Sequence, residues 1–538
     1  MTPPRPWQEI AAEKKAQQES RIPASWKLQL NDIPGDDVRD LRPVVETCGI
    51  LSQRELQITG AYDATALAEQ IAKGVYSAEE VAVAFCKRAA VGQQLCNNLT
   101  EIMFLDAIAD AKKLDAHFKE TGKVVGSLHG VPMTFKECFH VKGYDWTDGY
   151  ISRAFQPSTY DSYLIEIVRN AGAVVIAKTN NPQTMLVAES DNNVFGRSKN
   201  PVVSHLTCGG SSGGEGAAQA FRSSALGIGT DVAGSIRVPC ALNGCYGYKP
   251  SYGLLPLLKY AHSNWPGLNS GVPAVCGPMG HSMRDITLLT RVVRAAEPWL
   301  QDPAIMPTFF EQGTTSRKPV VGVIYKSGLT PQPPIQRALQ SAVAKLEAAG
   351  FVVKPFTPPD FADIREITSQ LFTADGLSYA KGELAKAGEP PVPSVFGIGF
   401  WDREPKSAEE MWKWNAKKIE YQKEMLDKWR EAGIDVVLCP AAPHTAVKPG
   451  EMKNEMYTVV WNAVDYPAVI LPYGTVDPAK DPKEFVFEPM SELDKELGAL
   501  YDVELMAGAP IALQLAGPRL GDEQLLRDAE IIDSVLNN

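Results

Sequence analysis

The sequence predicts an α/β protein. Short runs that are apolar on both faces alternate with stretches of helical periodicity, as expected of a buried sheet covered by helices. No internal repeat, low-complexity tract or long linker divides the 538 residues. The clearest apolar runs, each of which predicts a buried strand, are residues 173–177, 320–325, 435–438, 467–471 and 510–515.

Helical signals begin in the N-terminal arm, which we place at residues 1–62. A polar helix is predicted there around Trp7 to Gln18. Ser77 and Glu80 predict a capping box at the start of a later helix. In such a box the serine accepts the amide hydrogen of residue 80, and the glutamate returns a bond to the backbone of Ser77.

A long amphipathic helix is predicted between Glu404 and Gly433. It contains two sets of large apolar residues, one with a spacing of seven and one with a spacing of four. We interpret the aromatic residues of these sets as core rather than as a ligand site, since this spacing is typical of a buried helix face. The two sets are Trp412, Ile419 and Leu426, and Tyr421, Met425 and Trp429.

Composition excludes several classes of function. The chain has 53 Lys and Arg against 64 Asp and Glu, a net charge of −11, and no dense basic run. We therefore expect neither nucleic-acid binding nor adsorption to an anionic membrane. No apolar stretch reaches the roughly 18–20 residues of a spanning helix, and the N-terminal sequence lacks the apolar run of a secretory signal. These features predict a cytoplasmic location.

Cysteine and histidine usage gives no sign of a metal site or a disulfide framework. The nine cysteines include no C-x-x-C pair, and the seven histidines include no H-E-x-x-H pattern. Sparse single cysteines are typical of reduced, buried thiols in an intracellular protein. We expect no metal and no cofactor.

The first chemical landmark is Lys136, at the end of the apolar segment LHGVPMTFK. Two interpretations of this lysine are open. Its amine can reach solvent while its apolar stem stays buried. If the amine is held in the interior, desolvation lowers its pKa and makes a neutral general base available.

The second landmark is the Gly- and Ser-rich segment CGGSSGGEGA, residues 208–217. It lacks the lysine and hydroxyl pair of a phosphate-binding loop, and it runs into apolar sequence, unlike a flexible linker. Its glycines allow backbone conformations that other residues rarely adopt. We interpret Ser211, between these glycines, as a candidate catalytic residue.

The third landmark is GIGTDVAGSIRVP, residues 227–239. Consecutive backbone N–H groups in this segment could converge on one oxygen and hold an oxyanion. Asp231 and Arg237 flank them, and their simplest role is a structural ion pair. The candidate N–H donors are those of Val232, Ala233, Gly234 and Ser235.

The three segments resemble the hallmark blocks of the amidase signature family, in the family's order and spacing. The intervals are 75 residues from Lys136 to Ser211 and 24 residues from Ser211 to Ser235. WNAVDYPAVILP and GAPIALQLAGPRLGDEQLL are similar to fungal acetamidase-like members. The resemblance implies one α/β/α unit around a large mixed sheet, residues 63–538, with a variable channel-lining segment at about 355–430.

Carried over to matching positions, the resemblance implies an amidase that forms an acyl-enzyme. Ser235 would be the nucleophile, Ser211 the bridging serine after a cis peptide bond, and Lys136 the base. Met185 matches a residue that lines the substrate site in relatives, and a core role is an equal interpretation. The implied substrates are small aliphatic or aromatic amides. Homodimers are common among relatives, so a homodimer is possible, and the sequence leaves the oligomeric state open.

Competing interpretations stay open at this point. Residues 209–213 also match the G-x-S-x-G elbow of α/β-hydrolases, with Ser211 as the nucleophile of an esterase and His444 as its partner. Lys178 follows another apolar run and could replace Lys136 as the base. The chain could also be an amidotransferase-like subunit that acts only in a complex.

Overall fold

A single β-sheet runs through the protein. The computed structural model describes residues 5–35, 37–265, 267–268, 271–308 and 317–537. Within these ranges the sheet has eleven strands: β1 (Leu99–Ile102), β2 (Pro132–Lys136), β3 (Val174–Thr179), β4 (Leu226–Asp231), β5 (Tyr246–Lys249), β6 (Val275–Gly280), β7 (Val321–Val323), β8 (Val353–Pro355), β9 (Val436–Pro440), β10 (Ala468–Thr475) and β11 (Pro510–Ala516). Their order is β1-β3-β2-β4-β6-β5-β10-β11-β9-β7-β8.

The sheet mixes parallel and antiparallel pairs. β2 is parallel to its neighbours β3 and β4, and β7 is parallel to its neighbours β8 and β9. The remaining neighbours are antiparallel. Each of the five predicted apolar runs contributes to a strand. The predicted α/β class and the mixed sheet are therefore confirmed.

Helices cover the sheet on both faces, and successive residues of a strand such as Val175 and Ile176 are accordingly both buried. The helices of the described residues are α1 (Trp7–Ser20), α2 (Val44–Thr47), α3 (Gln53–Ala61), α4 (Ala64–Ala72), α5 (Ala78–Cys96), α6 (Phe104–Thr121), α7 (Tyr163–Asn170), α8 (Gly213–Ala220), α9 (Arg237–Asn243), α10 (Met283–Ala295), α11 (Pro333–Ala348), α12 (Phe361–Phe372), α13 (Ser378–Ala387), α14 (Ala408–Ala432), α15 (Met456–Ala463), α16 (Glu492–Gly498) and α17 (Asp522–Leu536). None of them is long and apolar enough to cross a membrane.

The start of α5 shows half of the predicted capping box. The Ser77 hydroxyl accepts the Glu80 N–H at 3.0 Å, as predicted. The second half is wrong, because the Glu80 carboxylate accepts a hydrogen bond from Arg54 Nη2 at 3.0 Å instead. The ion pair with Arg54 on α3 therefore replaces the predicted bond between the Glu80 side chain and the Ser77 backbone.

The long helix α14 buries only one of its two predicted apolar sets. Tyr421, Met425 and Trp429 are buried, as predicted. The other set is exposed, and the interpretation of its aromatic residue, Trp412, as core was wrong. Tyr421 follows Trp412 by nine residues, which is about two and a half turns at 3.6 residues per turn, so the two residues lie on opposite faces of the helix.

The N-terminal arm packs on the sheet through α1. Lys14 Nζ lies 2.6 Å from Asp145 Oδ2 and is fully buried. Gln18 Nε2 donates to the carbonyl oxygen of Leu99, at the start of β1, at 2.8 Å. Residues 1–4 and Asp36 of the predicted arm lie outside the described residues.

The parallel pairing of β2 and β4 brings the first and third sequence landmarks together. Phe135 pairs with Ile228, so the ends of the two strands meet at the same edge of the sheet. β2 ends at Lys136, and β4 ends at Asp231. In α/β sheets, the carboxyl ends of parallel strands are where ligands usually bind.

Candidate active site

Lys136 is fully buried at the end of β2, in contact with hydroxyl groups. Its Nζ donates to Ser211 Oγ at 2.6 Å and to Thr230 Oγ1 at 3.0 Å. In the part of the chain that the structure describes, it forms no ion pair. Burial lowers the pKa of Lys136 from 10.5 to about 8. The amine can therefore be neutral at mildly alkaline pH and can accept a proton.

The Gly- and Ser-rich segment holds Ser211 just before α8. The peptide bond between Gly210 and Ser211 is cis. A Cβ at Gly210 would collide with the backbone of Glu189, so this position has room only for glycine. Gly213 donates its N–H to Ser190 Oγ at 2.9 Å, which fixes the start of the helix. A Cβ at Gly213 would collide with the Ser190 side chain, so steric contacts explain the glycines on either side of the Ser211–Ser212 pair.

The third segment places Ser235 next to this loop. Ser212 donates its backbone N–H to the carbonyl oxygen of Ser235 at 3.1 Å, and Ser211 and Ser235 line the same cavity. Ser235 is 9% exposed and Ser211 is 1% exposed. Ser235 is thus the serine that a substrate in the cavity can reach more easily.

The backbone N–H groups before Ser235 differ in their partners. Among the described residues, no protein acceptor faces those of Val232, Ala233 and Ser235. Gly234 differs, because it donates its N–H to Asp231 Oδ1 at 2.8 Å. Its φ of +128° and the close approach of Thr458 leave room only for glycine. Gly234 therefore shapes the turn, and we leave it out of the set of free donors.

Asp231 and Arg237 form the structural ion pair expected from the sequence. Arg237 Nη2 lies 2.9 Å from Asp231 Oδ1, and both side chains are buried. Burial opposes the charged carboxylate, but Arg237 and Asn462 together hold the pKa of Asp231 well below its usual value. The carboxylate also accepts the Ile236 N–H at 3.1 Å. This anchor fixes the loop on both sides of Ser235.

A cavity of about 710 Å³ opens in front of the two serines. Thr230, Val232 and Met185 line it beside Ser211 and Ser235. Met185 thus lies at the cavity wall, where it also packs against the core. The rest of the wall is mixed. Its charged residues include Lys259, Asp302 and Asp375, and its apolar residues include Leu186, Leu255, Leu257, Leu258, Ile305, Phe372 and Leu377.

The competing candidates lie in different surroundings. Lys178 Nζ lies 3.2 Å from Glu137 Oε2, in a buried ion pair. His444 is buried with Nδ1 2.8 Å from the carbonyl oxygen of Thr445, and no hydrogen bond joins it to either serine in the described part of the chain. Burial raises the pKa of the Cys208 thiol, which keeps it protonated. None of the three is joined to Ser211 or Ser235 by a hydrogen bond among the described residues.

Sequence reasoning missed Thr230 as a partner of Lys136. The signal was available, because Thr230 directly precedes Asp231 in the third landmark. Pairing of β4 with β2 was needed to bring its hydroxyl within 3.0 Å of the lysine amine. Within the described ranges, no cluster of His, Cys, Asp and Glu side chains is arranged to hold a metal ion.

Comparisons with known proteins all find amidases or amide hydrolases. The family model described as Amidase matches residues 80–526. The chain is 37% identical to an acetamidase of Emericella nidulans over 99% of both chains. It is 36% identical to an amidase of Gibberella moniliformis over 98% of this chain and 99% of that one. A solved structure of a fatty acid amide hydrolase superposes with a TM-score of 0.94 at 30% identity, covering 99% of this chain and 96% of that chain.

Proposed function

The chain belongs to the amidase signature family and is an amide hydrolase, and we propose that Ser235 is its nucleophile, with Ser211 and Lys136 relaying the proton. The observation that carries this proposal is the buried Lys136 amine, 2.6 Å from Ser211 Oγ and bonded to hydroxyls. A lysine pKa near 8 gives a useful fraction of neutral amine at mildly alkaline pH.

In the acylation step, the Ser235 oxygen forms a bond to the carbonyl carbon of the amide. Its proton passes to Ser211 Oγ, whose own proton passes to Lys136 Nζ. The negative charge that develops on the carbonyl oxygen is stabilised by the N–H groups of Val232, Ala233 and Ser235. Removing one such donor typically costs about 10²–10³ in rate.

Collapse of the tetrahedral intermediate breaks the C–N bond. Protonated Lys136 returns its proton through Ser211 to the departing nitrogen, which leaves as ammonia or an amine. Water then attacks the ester on Ser235, and its proton follows the same relay. The products are a carboxylate and free Ser235.

Small aliphatic or aromatic amides are the substrates that we propose on the basis of similarity. Relatives named acetamidase support a small acyl group. Met185 and Ser211 would contact the bound amide, since both line the cavity beside Ser235.

The test is ammonia release by the purified full-length protein from acetamide, benzamide and longer acyl amides. We expect turnover that Ser235→Ala abolishes. Ser263→Ala, at a third serine that lines the same cavity, should leave turnover within about threefold of the wild type. Turnover that survives Ser235→Ala would contradict the proposed nucleophile. Failure on every amide, with a stable partner co-purifying, would favour a subunit that acts only in a complex.

A further inference from the structure

The cavity is much larger than acetamide requires. At about 710 Å³ it falls among pockets that enclose drug-sized ligands, which are about 300–1,000 Å³. Acetamide has only four non-hydrogen atoms and would occupy a small part of this space. The cavity therefore has room for a further group of the substrate.

Part of the wall is formed by two aromatic rings, Trp265 and Tyr379, which we call the aromatic wall. Their ring centroids lie 5.2 Å apart with an interplanar angle of 74°, so the pair presents both a ring face and a ring edge. Trp265 Nε1 donates to Ser378 Oγ at 3.0 Å, which joins the tryptophan to the start of α13. Aromatic ligand groups pack well against such edge-to-face arrangements.

Arg153 holds Tyr379 in this position. It is 3% exposed, and its Nη2 donates to the Tyr379 hydroxyl at 2.8 Å. The guanidinium also lies 3.4 Å from Glu383, one turn further along α13, and 3.5 Å from Asp148. A planar group with several fixed donors thereby ties α13 to the segment that contains Asp148.

The charges at the cavity favour a neutral substrate group. Asp302 and Asp375 line the cavity together with the aromatic wall. Asp302 accepts the Ala304 N–H, and Asp375 accepts the Leu377 N–H, both at 3.0 Å. In the described part of the chain neither carboxylate forms an ion pair. Lys259 also lines the cavity, but its amine pairs with Glu166 Oε1 at 3.0 Å. An anionic substrate group would therefore meet negative charge at Asp302 and Asp375 that no ion pair balances.

We propose that Trp265 and Tyr379 determine specificity for amides that carry a neutral aromatic group, and that Arg153 is a positioning residue for Tyr379. The inference rests on the proposed amide hydrolysis at Ser235 and adds the class of substrate. The aromatic group packs on the aromatic wall while the amide carbonyl lies at Ser235. Acetamide reacts without reaching the wall.

The test compares kcat and KM for acetamide, phenylpropanamide and the para-carboxylate derivative of phenylpropanamide. The wild-type enzyme should prefer phenylpropanamide to acetamide, and to the carboxylate derivative, by about tenfold or more in kcat/KM. Trp265→Ala and Tyr379→Ala should each lower kcat/KM for phenylpropanamide about tenfold, mainly through KM, and change acetamide less than about twofold. Trp412→Ala, which removes an exposed tryptophan on α14, is the matched control and should change kcat/KM for neither substrate.

The positioning role of Arg153 has its own readout. Tyr379→Phe keeps the ring but removes the hydroxyl that Arg153 contacts, so KM for phenylpropanamide should rise by about threefold while kcat stays the same. Arg153→Lys should raise the same KM. The double variant with Tyr379→Phe and Arg153→Lys should raise KM by less than the two single effects combined, because both changes remove the same contact. If an alanine variant does not fold, Tyr379→Leu and Trp265→Leu, which keep more volume, serve in its place.

Three results would overturn the proposal. These are a wild-type preference for acetamide, a preference for the carboxylate derivative, or equal losses on acetamide and phenylpropanamide in the wall variants. A wild-type enzyme that hydrolyses none of the three amides would contradict the proposed function itself. If the wild-type enzyme hydrolyses these amides but the wall variants lose equal activity on acetamide and phenylpropanamide, only the specificity proposal is contradicted.

Discussion

Two buried lysines at the ends of neighbouring parallel strands have different partners. Lys136 on β2 pairs in register with Thr179, and Lys178 on β3 pairs with Phe135. Both side chains are fully buried. Lys178 lies 3.2 Å from the carboxylate of Glu137, whereas Lys136 contacts the hydroxyls of Ser211 and Thr230.

The alternation of side chains along a strand explains this difference. Successive residues point to opposite faces of a sheet, so Lys178 shares a face with Phe135 and with Glu137, the residue just after β2. Lys136 points to the other face, toward Ser211. A carboxylate can balance a positive charge on Lys178, whereas the described residues offer Lys136 only the neutral hydroxyls of Ser211 and Thr230 as hydrogen-bond partners. Because Glu137 lies on the same face as Lys178, Lys178 is paired with a carboxylate and Lys136 is the buried lysine available as a base.

Removing each lysine in turn should have opposite consequences for catalysis. Lys136→Met should lower kcat/KM for the best amide substrate by about 10²–10⁴, the usual contribution of a general base. Lys178→Met should stay within about tenfold of the wild type, since its partner is a structural carboxylate. Steady-state kinetics on folded protein, checked by circular dichroism, measures both. A larger loss in the Lys178 variant would refute the assignment of Lys136 as the base.

Stability should respond in the reverse order. Lys178→Met leaves the Glu137 carboxylate buried without its cation, which typically costs about 3–5 kcal/mol of unfolding free energy. Lys136→Met removes a buried amine but leaves no carboxylate without a partner, so it should lower the free energy of unfolding by less. Urea denaturation gives the two values.

A second variant separates the loss of charge balance from the loss of packing. Adding Glu137→Gln to Lys178→Met removes the orphaned charge and should recover part of the lost stability. No recovery, or a Lys136→Met variant as unstable as Lys178→Met, would mean that the ion pair does not distinguish the two lysines.

The pH dependence of kcat/KM should report the neutral form of Lys136. Burial lowers its pKa from 10.5 to about 8, and the protonated amine is inactive as a base. Activity should therefore rise about tenfold per pH unit below pH 8 and level off above it. A rate profile on a substrate that does not titrate provides the measurement. An acid limb centred below about pH 6 would contradict a lysine base.

A smaller shift should follow from the nearby carboxylate of Asp148. Burial raises the pKa of Asp148 to about 6, so it is ionised at pH 8, and its negative charge favours protonated Lys136. Asp148→Asn should therefore move the acid limb to lower pH by about one unit or less. Asp427→Asn on α14, whose carboxylate pairs with Lys423, should leave the limb in place. A shift of the limb to higher pH in the Asp148 variant would reverse the proposed sign.

The strands that the sequence predicted are those with apolar residues on both faces. β4 and β6 carry glycines and lack that pattern. Packing explains the glycines, since a Cβ at Gly227 would collide with Glu215 and one at Gly277 with the backbone of Tyr248. These strands are specified by the side chains and backbone packed against them, which a local pattern does not contain.

Helix α14 shows the same limit. Helical spacing identifies an apolar face, but it does not say whether other elements cover that face. Tyr421 packs in the core while Ile419 is 60% exposed, although both belong to regularly spaced sets. Which face is covered depends on the helices that pack beside it.

The candidate site was predictable in its residue types and not in its contacts. Coupled motifs pointed to Lys136, Ser211 and Ser235 through resemblance, and their catalytic roles stay a prediction. The sequence could not exclude Lys178, because Glu137 is adjacent to Lys136 in the chain but faces Lys178 across the sheet. Strand register supplies that information.

Identification of the acylated residue tests the central claim most directly. The enzyme is incubated with an activated ester or amide whose acyl group leaves slowly, and the modified peptide is located by mass spectrometry. We predict the acyl group on Ser235, with no label in Ser235→Ala and slower labelling in Lys136→Met. An acyl group on Ser211 would contradict the relay and would support a nucleophile elbow instead.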